Sequence, residues 1–185
     1  MGDVNIKLSS LGSLRENTSE LDTHAETCVF GRHAFIVERH DQVVNVSGYD
    51  PTKGYVNNIG VVNATVTIDN VDTGESHVVI INQSVHVPTM EDNLLCPMQL
   101  RMHGTVMNDK PKFLLRDLTD DDHCFILQNE TLDDLLRIPL TIKGVSSVFP
   151  SRKTTQMEYE KSDHFIATSN APVWDPRDNM FGSQE

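Results

Sequence analysis

The chain has 185 residues, and its 15 Lys and Arg against 27 Asp and Glu give a formal net charge of −12 at pH 7. A charge of this size repels phosphate backbones and no basic run offsets it, so we expect no nucleic-acid ligand. The apolar runs are strand-sized, which argues against contact with a membrane, and three cysteines are too few for a disulfide framework and predict an intracellular protein.

The sequence pattern of the first half of the chain is typical of a β protein. Residues 1–19 are small and polar, without an apolar block after a basic segment, and predict a polar leader. Short Val- and Ile-rich runs follow at 34–37, 43–46, 61–68 and 77–81, separated by turn-forming residues. Apolar and polar residues alternate over 61–68, which predicts a strand with one solvated face, and the turn residues at 70–75 predict a hairpin over 61–82.

The second half is less regular. Apolar residues from Leu94 to Met102, stopped by His103-Gly104, predict one helix at about 92–103. We expect residues 114–149 to form an extension with short strands and a helix over 130–137, and the apolar run 113–115 to add a strand. Residues 150–185 are polar with sparse apolar side chains, and predict an acidic, mostly extended linker or tail that adds little to the core.

The stretch with the clearest candidate chemistry is 20–28. An Asp-Thr pair such as Asp22-Thr23, placed in a tight turn after a short strand, presents a carboxylate on a fixed loop. Several alternatives remain open. Asp22 could be an ordinary turn residue; His24, Glu26 and Cys28 could bind a metal; and Cys28 could be a nucleophile. A zinc deaminase site is disfavoured because no Pro-Cys-x-x-Cys follows the His-Ala-Glu at 24–26.

A second block, some seventy residues later, makes the loop more informative. It consists of Val87-Pro88, Asn93-Leu94-Leu95 and Gln99-Leu100. With this block, residues 20–113 resemble the protease segment of Copia-type (Pseudoviridae-like) retrotransposon polyproteins. In that family a strand ending in Asp-Ser/Thr-Gly-Ala precedes a flap hairpin and then a Val-Pro, Asn-Leu-Leu and Gln-Leu block. The loop at 22–28 is similar to that of Copia-like elements of diatoms and other protists, and 173–185 is similar to the linker after the protease.

The resemblance implies a mainly β, retropepsin-like closed or half β-barrel with one short helix over 20–113. It implies an aspartic endopeptidase that acts as a homodimer on an extended peptide of its own polyprotein, without cofactor or metal, in the cytoplasm or in virus-like particles. The site residues it implies are the catalytic Asp22, the supporting Thr23, His24 and Ala25, the flap residues Ser47, Gly48, Tyr49 and Asp50, and Asn93, Leu94 and Leu95 as substrate-contacting or core residues near the site.

Two features of the sequence complicate this assignment. His24 stands where most retropepsins have Gly, a residue favoured where backbone must approach closely. The alternative is therefore a catalytically inactive retropepsin-like module for dimerisation or interaction, or a degenerate retroelement fragment. A literal Asp-Thr-Gly also occurs at 72–74, but it lies between two alternating strands, and we assign it to the hairpin turn.

Overall fold

A computed structural model describes residues 18–47, 55–70, 73–129 and 134–178. Over these ranges the chain is mainly β, which confirms the predicted class. No helix found there is both long and apolar enough to cross a membrane. The elements are β1 (Thr18–Leu21), β2 (Val29–Phe30), β3 (Phe35–Ser47), β4 (Tyr55–Asp69), β5 (Ser76–His86), β6 (Asn93–Leu95), α1 (Pro97–Met102), β7 (Val106–Asn108), a 3-10 helix (Lys112–Leu114), β8 (Cys124–Asn129), β9 (Asp134–Pro139), β10 (Thr141–Lys143), β11 (Ser146–Pro150), β12 (Arg152–Lys153), α2 (Gln156–Lys161) and β13 (His164–Thr168).

The strands form two sheets. The larger sheet has the order β10-β11-β1-β6-β2-β5-β4-β12, with β13 also paired to β5 and β3 also paired to β4. The smaller sheet has the order β7-β8-β9. The described strands do not close on themselves, so the closed barrel among our expectations is not found. Buried apolar side chains from both sheets and from α1 form one core.

The predicted hairpin over 61–82 is confirmed, since β4 and β5 are antiparallel partners. Its turn places Gly74 at a φ of 74°, where glycine is favoured, and the Gly74 N–H donates to the Asn70 carbonyl. The predicted solvated face is wrong, because Asn63, Thr65 and Thr67 are all buried. Other parts of the chain cover these side chains: Asn63 Nδ2 donates to Glu38 Oε2 at 2.8 Å, and the Thr67 hydroxyl lies 3.1 Å from the Thr154 hydroxyl.

Local patterns misplaced three elements. The predicted helix begins only at Pro97, because the preceding residues form β6, which pairs with β1 and β2. The Cys96 Sγ caps the N-terminus of α1 by accepting from the Gln99 N–H. Residues 134–137 of the second predicted helix instead belong to β9, in which burial alternates along the strand; residues 130–133 lie outside the described ranges. The strand predicted at 113–115 is instead the 3-10 helix, whose Phe113 and Leu114 are exposed.

The expectation that the chain after 150 adds little to the core is wrong. This part contains β12, α2 and β13, and β13 pairs in parallel with the central strand β5. Phe165 and Ala167 of β13 are buried in the core. Helix α2 begins with a capping box, in which Thr155 and Glu158 bond each other's backbone N–H groups. Few apolar residues are present, but Phe165 and Ala167 occupy alternate positions of a strand that pairs with β5.

An arginine fastens this part of the chain to the large sheet. Arg152 Nε donates to Asp69 Oδ2 at 2.6 Å, and Arg152 Nη2 donates to Glu158 Oε1 at 2.5 Å. The hydrogen bonds from Arg152 lower the pKa of Asp69 and lower that of Glu158 to about 2. One guanidinium thereby joins β4, β12 and α2.

We expect this cluster to stabilise the fold at neutral pH and not at strongly acidic pH. Because folding lowers both carboxyl pKa values, the stabilisation is present above their ordinary values near 4 and is lost as pH falls towards 2. The groups are partly exposed, so its size should be about 1 kcal/mol or less. Urea unfolding of wild type and Glu158→Gln should differ at about pH 6 and converge near about pH 2.5. Glu160→Gln, on the same helix, is the control, and its difference from wild type should not change between the two pH values. If the free energy of unfolding of Glu158→Gln differs from that of wild type by the same amount at both pH values, the expectation is wrong.

Candidate active site

Asp22 lies directly after β1, at the start of a tight turn. Its N–H donates to the Leu95 carbonyl at 3.0 Å, which extends the pairing of β1 with β6 by one residue. Asp22 Oδ1 accepts from the His24 N–H at 2.9 Å, and the Asp22 carbonyl accepts from the Ala25 N–H at 3.2 Å. The side chain remains 31% exposed. The fold therefore fixes this carboxylate in place while leaving it accessible.

The two halves of the sequence motif meet at this point, as the resemblance predicts. Strand β6 lies between β1 and β2, parallel to the first and antiparallel to the second. Its Asn93-Leu94-Leu95 pairs with β1, in the register Ser19 to Asn93 and Leu21 to Leu95. The block thus separates the strand that enters the Asp22 loop from the strand that leaves it.

Two buried amide side chains of the block hold the loop and its flanking strands. Asn93 Oδ1 accepts from the Gly31 N–H at 3.1 Å, and Asn93 Nδ2 donates to the Ser19 hydroxyl at 3.3 Å. Gln99 Oε1 accepts from the Cys28 N–H at 2.8 Å, where the loop ends. Asn93, Gln99 and Leu95 are buried, so among the alternatives for these positions the core role fits the structure and direct contact with a substrate does not.

Within the loop, Ala25 packs against the core, Thr27 is half-buried and Cys28 is buried, whereas the other residues after Asp22 are exposed. Thr23 is exposed, and the His24 side chain is 84% exposed, with Nδ1 3.8 Å from Asp22 Oδ1. The residues other than glycine that have a positive φ within the described ranges are Asn58, Gln83 and His123. The backbone at His24 is therefore not in the left-handed region, and a side chain at this position causes no local strain.

An open groove of about 440 Å³ lies beside the loop. Its walls come from β1, from the loop, from the segment after β7 and from the β10–β11 turn, and the lining residues are Glu20, Leu21, Asp22, Thr23, His24, Asp109, Pro111, Ile142, Val145, Ser146 and Ser147. Three carboxylates line this space. Asp109 is paired to Arg101, whose Nη2 lies 2.9 Å from Asp109 Oδ2.

The predicted flap falls largely outside the described residues. Ser47 ends β3, whereas Gly48, Tyr49 and Asp50 are not described. Strands β3 and β4 form a long antiparallel hairpin, in which Ser47 pairs with Tyr55 next to the tip. A hairpin is thus present at the predicted position, and the role of its tip stays a prediction.

The alternative chemistries of the loop find little support. Cys28 is fully buried, and burial raises the pKa of its thiol, so the reactive thiolate is disfavoured. Its Sγ accepts from the Cys96 N–H at 3.3 Å, which is a structural contact. Over the described ranges, no three His, Cys, Asp or Glu side chains gather as a group that could hold a metal ion.

One contact to the loop has no counterpart in the sequence analysis. Trp174, from the predicted linker, donates its indole Nε1–H to the Glu26 carbonyl at 3.0 Å. In the sequence, the one indication of this contact is a single tryptophan within a polar stretch. That residue does not indicate which segment its indole would bind.

Comparisons of the chain with protein-family models, with curated proteins and with solved structures found no match. The functional interpretation therefore depends on the motif in the sequence and on the geometry around Asp22.

Proposed function

We propose that the chain is an aspartic endopeptidase with a retropepsin-like fold, which acts as a homodimer with one Asp22 from each subunit. The observation that supports this most directly is the position of Asp22. Its carboxylate is held by the His24 N–H at the edge of an open groove, on a loop whose base is hydrogen-bonded to the Asn93-Leu94-Leu95 block. An accessible carboxylate on a fixed loop is half of what this chemistry needs.

The other half is a second carboxylate. Two carboxylates about 3 Å apart cannot both ionise, so they share one proton. The ionised carboxylate takes a proton from a water molecule, which attacks the peptide carbonyl, while the protonated carboxyl gives its proton to the carbonyl oxygen. When the tetrahedral intermediate breaks down, the carboxyl that took the water proton gives it to the nitrogen of the leaving amine. The other carboxylate takes a proton from a hydroxyl of the intermediate as the carbonyl re-forms, and the pair returns to its starting state.

The second carboxylate is best supplied by another copy of the chain. Within the groove, Asp109 already forms an ion pair with Arg101. A pair of identical Asp22 loops related by a two-fold axis gives the symmetric dyad that proton sharing requires.

The register of the large sheet limits how two copies can meet. Leu21 pairs with Ser147, and Ser147 pairs with Ile142 of β10, which ends the sheet. If two β10 edges joined, five strand spacings of about 4.8 Å would separate the two Leu21 residues, a distance of about 24 Å. That is too far for a dyad, so the proposed dimer does not form through paired β10 edges, and the two Asp22 loops must themselves meet at the interface.

The substrate would be an extended peptide lying along this groove, as the resemblance to retrotransposon proteases implies. Ile142 and Val145 are exposed in its wall and offer apolar contacts to side chains of the peptide. The natural substrate on this proposal is the polyprotein that contains the chain, cleaved inside the cell without cofactor or metal.

Dilution tests the proposal, because a monomer carries only half of the site. A purified fusion of the chain to a polyprotein fragment should cleave a separate peptide substrate with a specific activity that is constant at high concentration. The specific activity should fall on dilution below the dimer Kd. The rate should be bell-shaped within about pH 4 to 7, since one carboxylate must be protonated and one ionised. Specific activity that does not depend on concentration, or no cleavage at any pH in this range, would falsify the proposal.

A second candidate function is an inactive dimerisation module, and His24 is the observation that favours it. Its imidazole lies 3.8 Å from Asp22 Oδ1 and, when protonated, attracts the carboxylate that the dyad would use. Replacing His24 by Gly distinguishes the two functions. On the protease proposal wild type already cleaves and His24→Gly changes the rate little, whereas a module that His24 inactivates dimerises without cleaving and gains cleavage only as His24→Gly.

A further inference from the structure

The segment that follows β13, residues 169–178, lies across three parts of the molecule and has no regular secondary structure. It contacts β5 through Gln83, whose Nε2 donates to the Ser169 carbonyl at 2.8 Å and to the Pro172 carbonyl at 3.0 Å. It contacts α1 through His103, whose Nδ1 lies 2.8 Å from the Ser169 hydroxyl. Its third contact is the bond from Trp174 Nε1 to the carbonyl of Glu26, inside the Asp22 loop.

Gln83 links this segment to the loop through a second route. Its Oε1 accepts from the Trp174 N–H at 2.5 Å, and its backbone carbonyl accepts from Gln99 Nε2 at 3.0 Å. Gln99 in turn accepts from the Cys28 N–H and from the Thr27 hydroxyl at the end of the loop. The C-terminal segment and the loop therefore share one hydrogen-bond network.

The backbone at Gln83 is unusual. Its φ is 54°, in the left-handed region, and the β4–β5 register shifts nearby, between Val62 and Ala64. Such a conformation is unfavourable for a residue other than glycine and persists when surrounding contacts hold it. Here the contacts from Asn63, Gln99 and the C-terminal segment provide that support.

We propose that residues 169–178 form a positioning strap for the Asp22 loop, with Trp174 as the positioning residue. The loop begins at the bond of the Asp22 N–H to β6 and ends at the bond of the Cys28 N–H to Gln99. Between these points the indole of Trp174 holds the Glu26 carbonyl. The strap limits the motion of the loop between its two fixed ends, and so keeps the Asp22 carboxylate in the geometry that the dyad needs. This inference rests on the proposed function.

The test compares Trp174→Phe, which keeps an aromatic six-membered ring and removes the pyrrole ring with its N–H, with Val173→Ala. Val173 is 71% exposed and lies next to Trp174, so it is the matched control. In the full chain, Trp174→Phe should speed hydrogen exchange of the loop amides at 23–28 by about fivefold, as expected when one hydrogen bond is lost. Exchange in β4 and β5 should not change. In cleavage assays kcat should fall by a similar factor with KM unchanged, and Val173→Ala should match wild type in every measurement.

Several outcomes would overturn the strap. Unchanged exchange at 23–28 would show that the indole does not restrain the loop, and faster exchange across the whole sheet would show a general stabilising role. Faster exchange at 23–28 with unchanged kcat would show that loop motion does not affect the dyad. Exchange needs no activity, so an inactive wild type removes the proposed function while the exchange comparison still decides whether Trp174 restrains the loop.

Discussion

Replacing Asp22 by Asn should reduce cleavage by about a thousandfold or more, in line with the loss of general acid–base catalysis. Asn has the shape of Asp but can neither ionise nor share a proton. The loop should keep its structure, because the Asn Oδ1 can still accept from the His24 N–H as Asp22 Oδ1 does. Cleavage of a fused polyprotein fragment, measured together with the thermal midpoint, checks both statements.

Two control variants and one mixing experiment sharpen this test. Asp109→Asn changes another carboxylate of the same groove and should keep kcat near the wild-type value, with any effect on peptide binding confined to KM. Asp72→Asn changes the Asp of the literal Asp-Thr-Gly in the sequence and should cleave at nearly the wild-type rate. A mixture of equal amounts of wild type and Asp22→Asn should have about one quarter of the activity of wild type at the same total protein concentration, because only dimers with two intact subunits carry a dyad. A mixture that keeps half of the activity would show that each subunit works alone.

Local patterns in the sequence were sufficient where neighbouring residues decide the structure. The β4–β5 hairpin follows from alternation and turn residues, both of which act over a few positions. Local patterns failed where pairing with strands distant in the sequence decides the conformation of a segment. Leu94 and Leu95 fit a helical stripe, but β1 and β2 offer backbone partners on both sides, so the segment is extended. Residues 134–137, which were predicted to be helical, are extended for the same reason, through pairing with β8.

The candidate site shows the same division. A motif in the sequence placed Asp22 beside the Asn93-Leu94-Leu95 block, and the bond from the Asp22 N–H to Leu95 confirms that they are adjacent. The sequence could not show why Gln99 belongs to that block, because its amide acts on Cys28, far away in the chain. The contact of Trp174 was even less predictable, because its partner is the backbone carbonyl of Glu26. Every residue has such a carbonyl, so the type of residue at position 26 does not indicate the contact.

The part of the chain after residue 150 gives the other large expected effect. Phe165 is 3% exposed in β13, belongs to the core and packs edge-on against the ring of His77, with ring centroids 5.6 Å apart. Phe165→Ala should lower the free energy of unfolding by about 3–5 kcal/mol, the range for removing a buried aromatic side chain. That is a large fraction of the stability of a typical domain, so part of the protein should be unfolded at 37 °C.

The neighbouring residue is a control within the same strand. Ile166 is 53% exposed, and Ile166→Ala should lower the free energy of unfolding by less than about 1 kcal/mol. Truncation after Pro150 removes β12, α2 and β13 together and should abolish the cooperative urea transition, because β5 loses its pairing with β13 and the core loses Phe165 and Ala167. If instead the truncated chain unfolds with the wild-type midpoint, and Phe165→Ala behaves like Ile166→Ala, β13 does not contribute to the core as described. The linker interpretation of residues 150–185 would then be restored, since a true linker can be removed without exposing apolar surface.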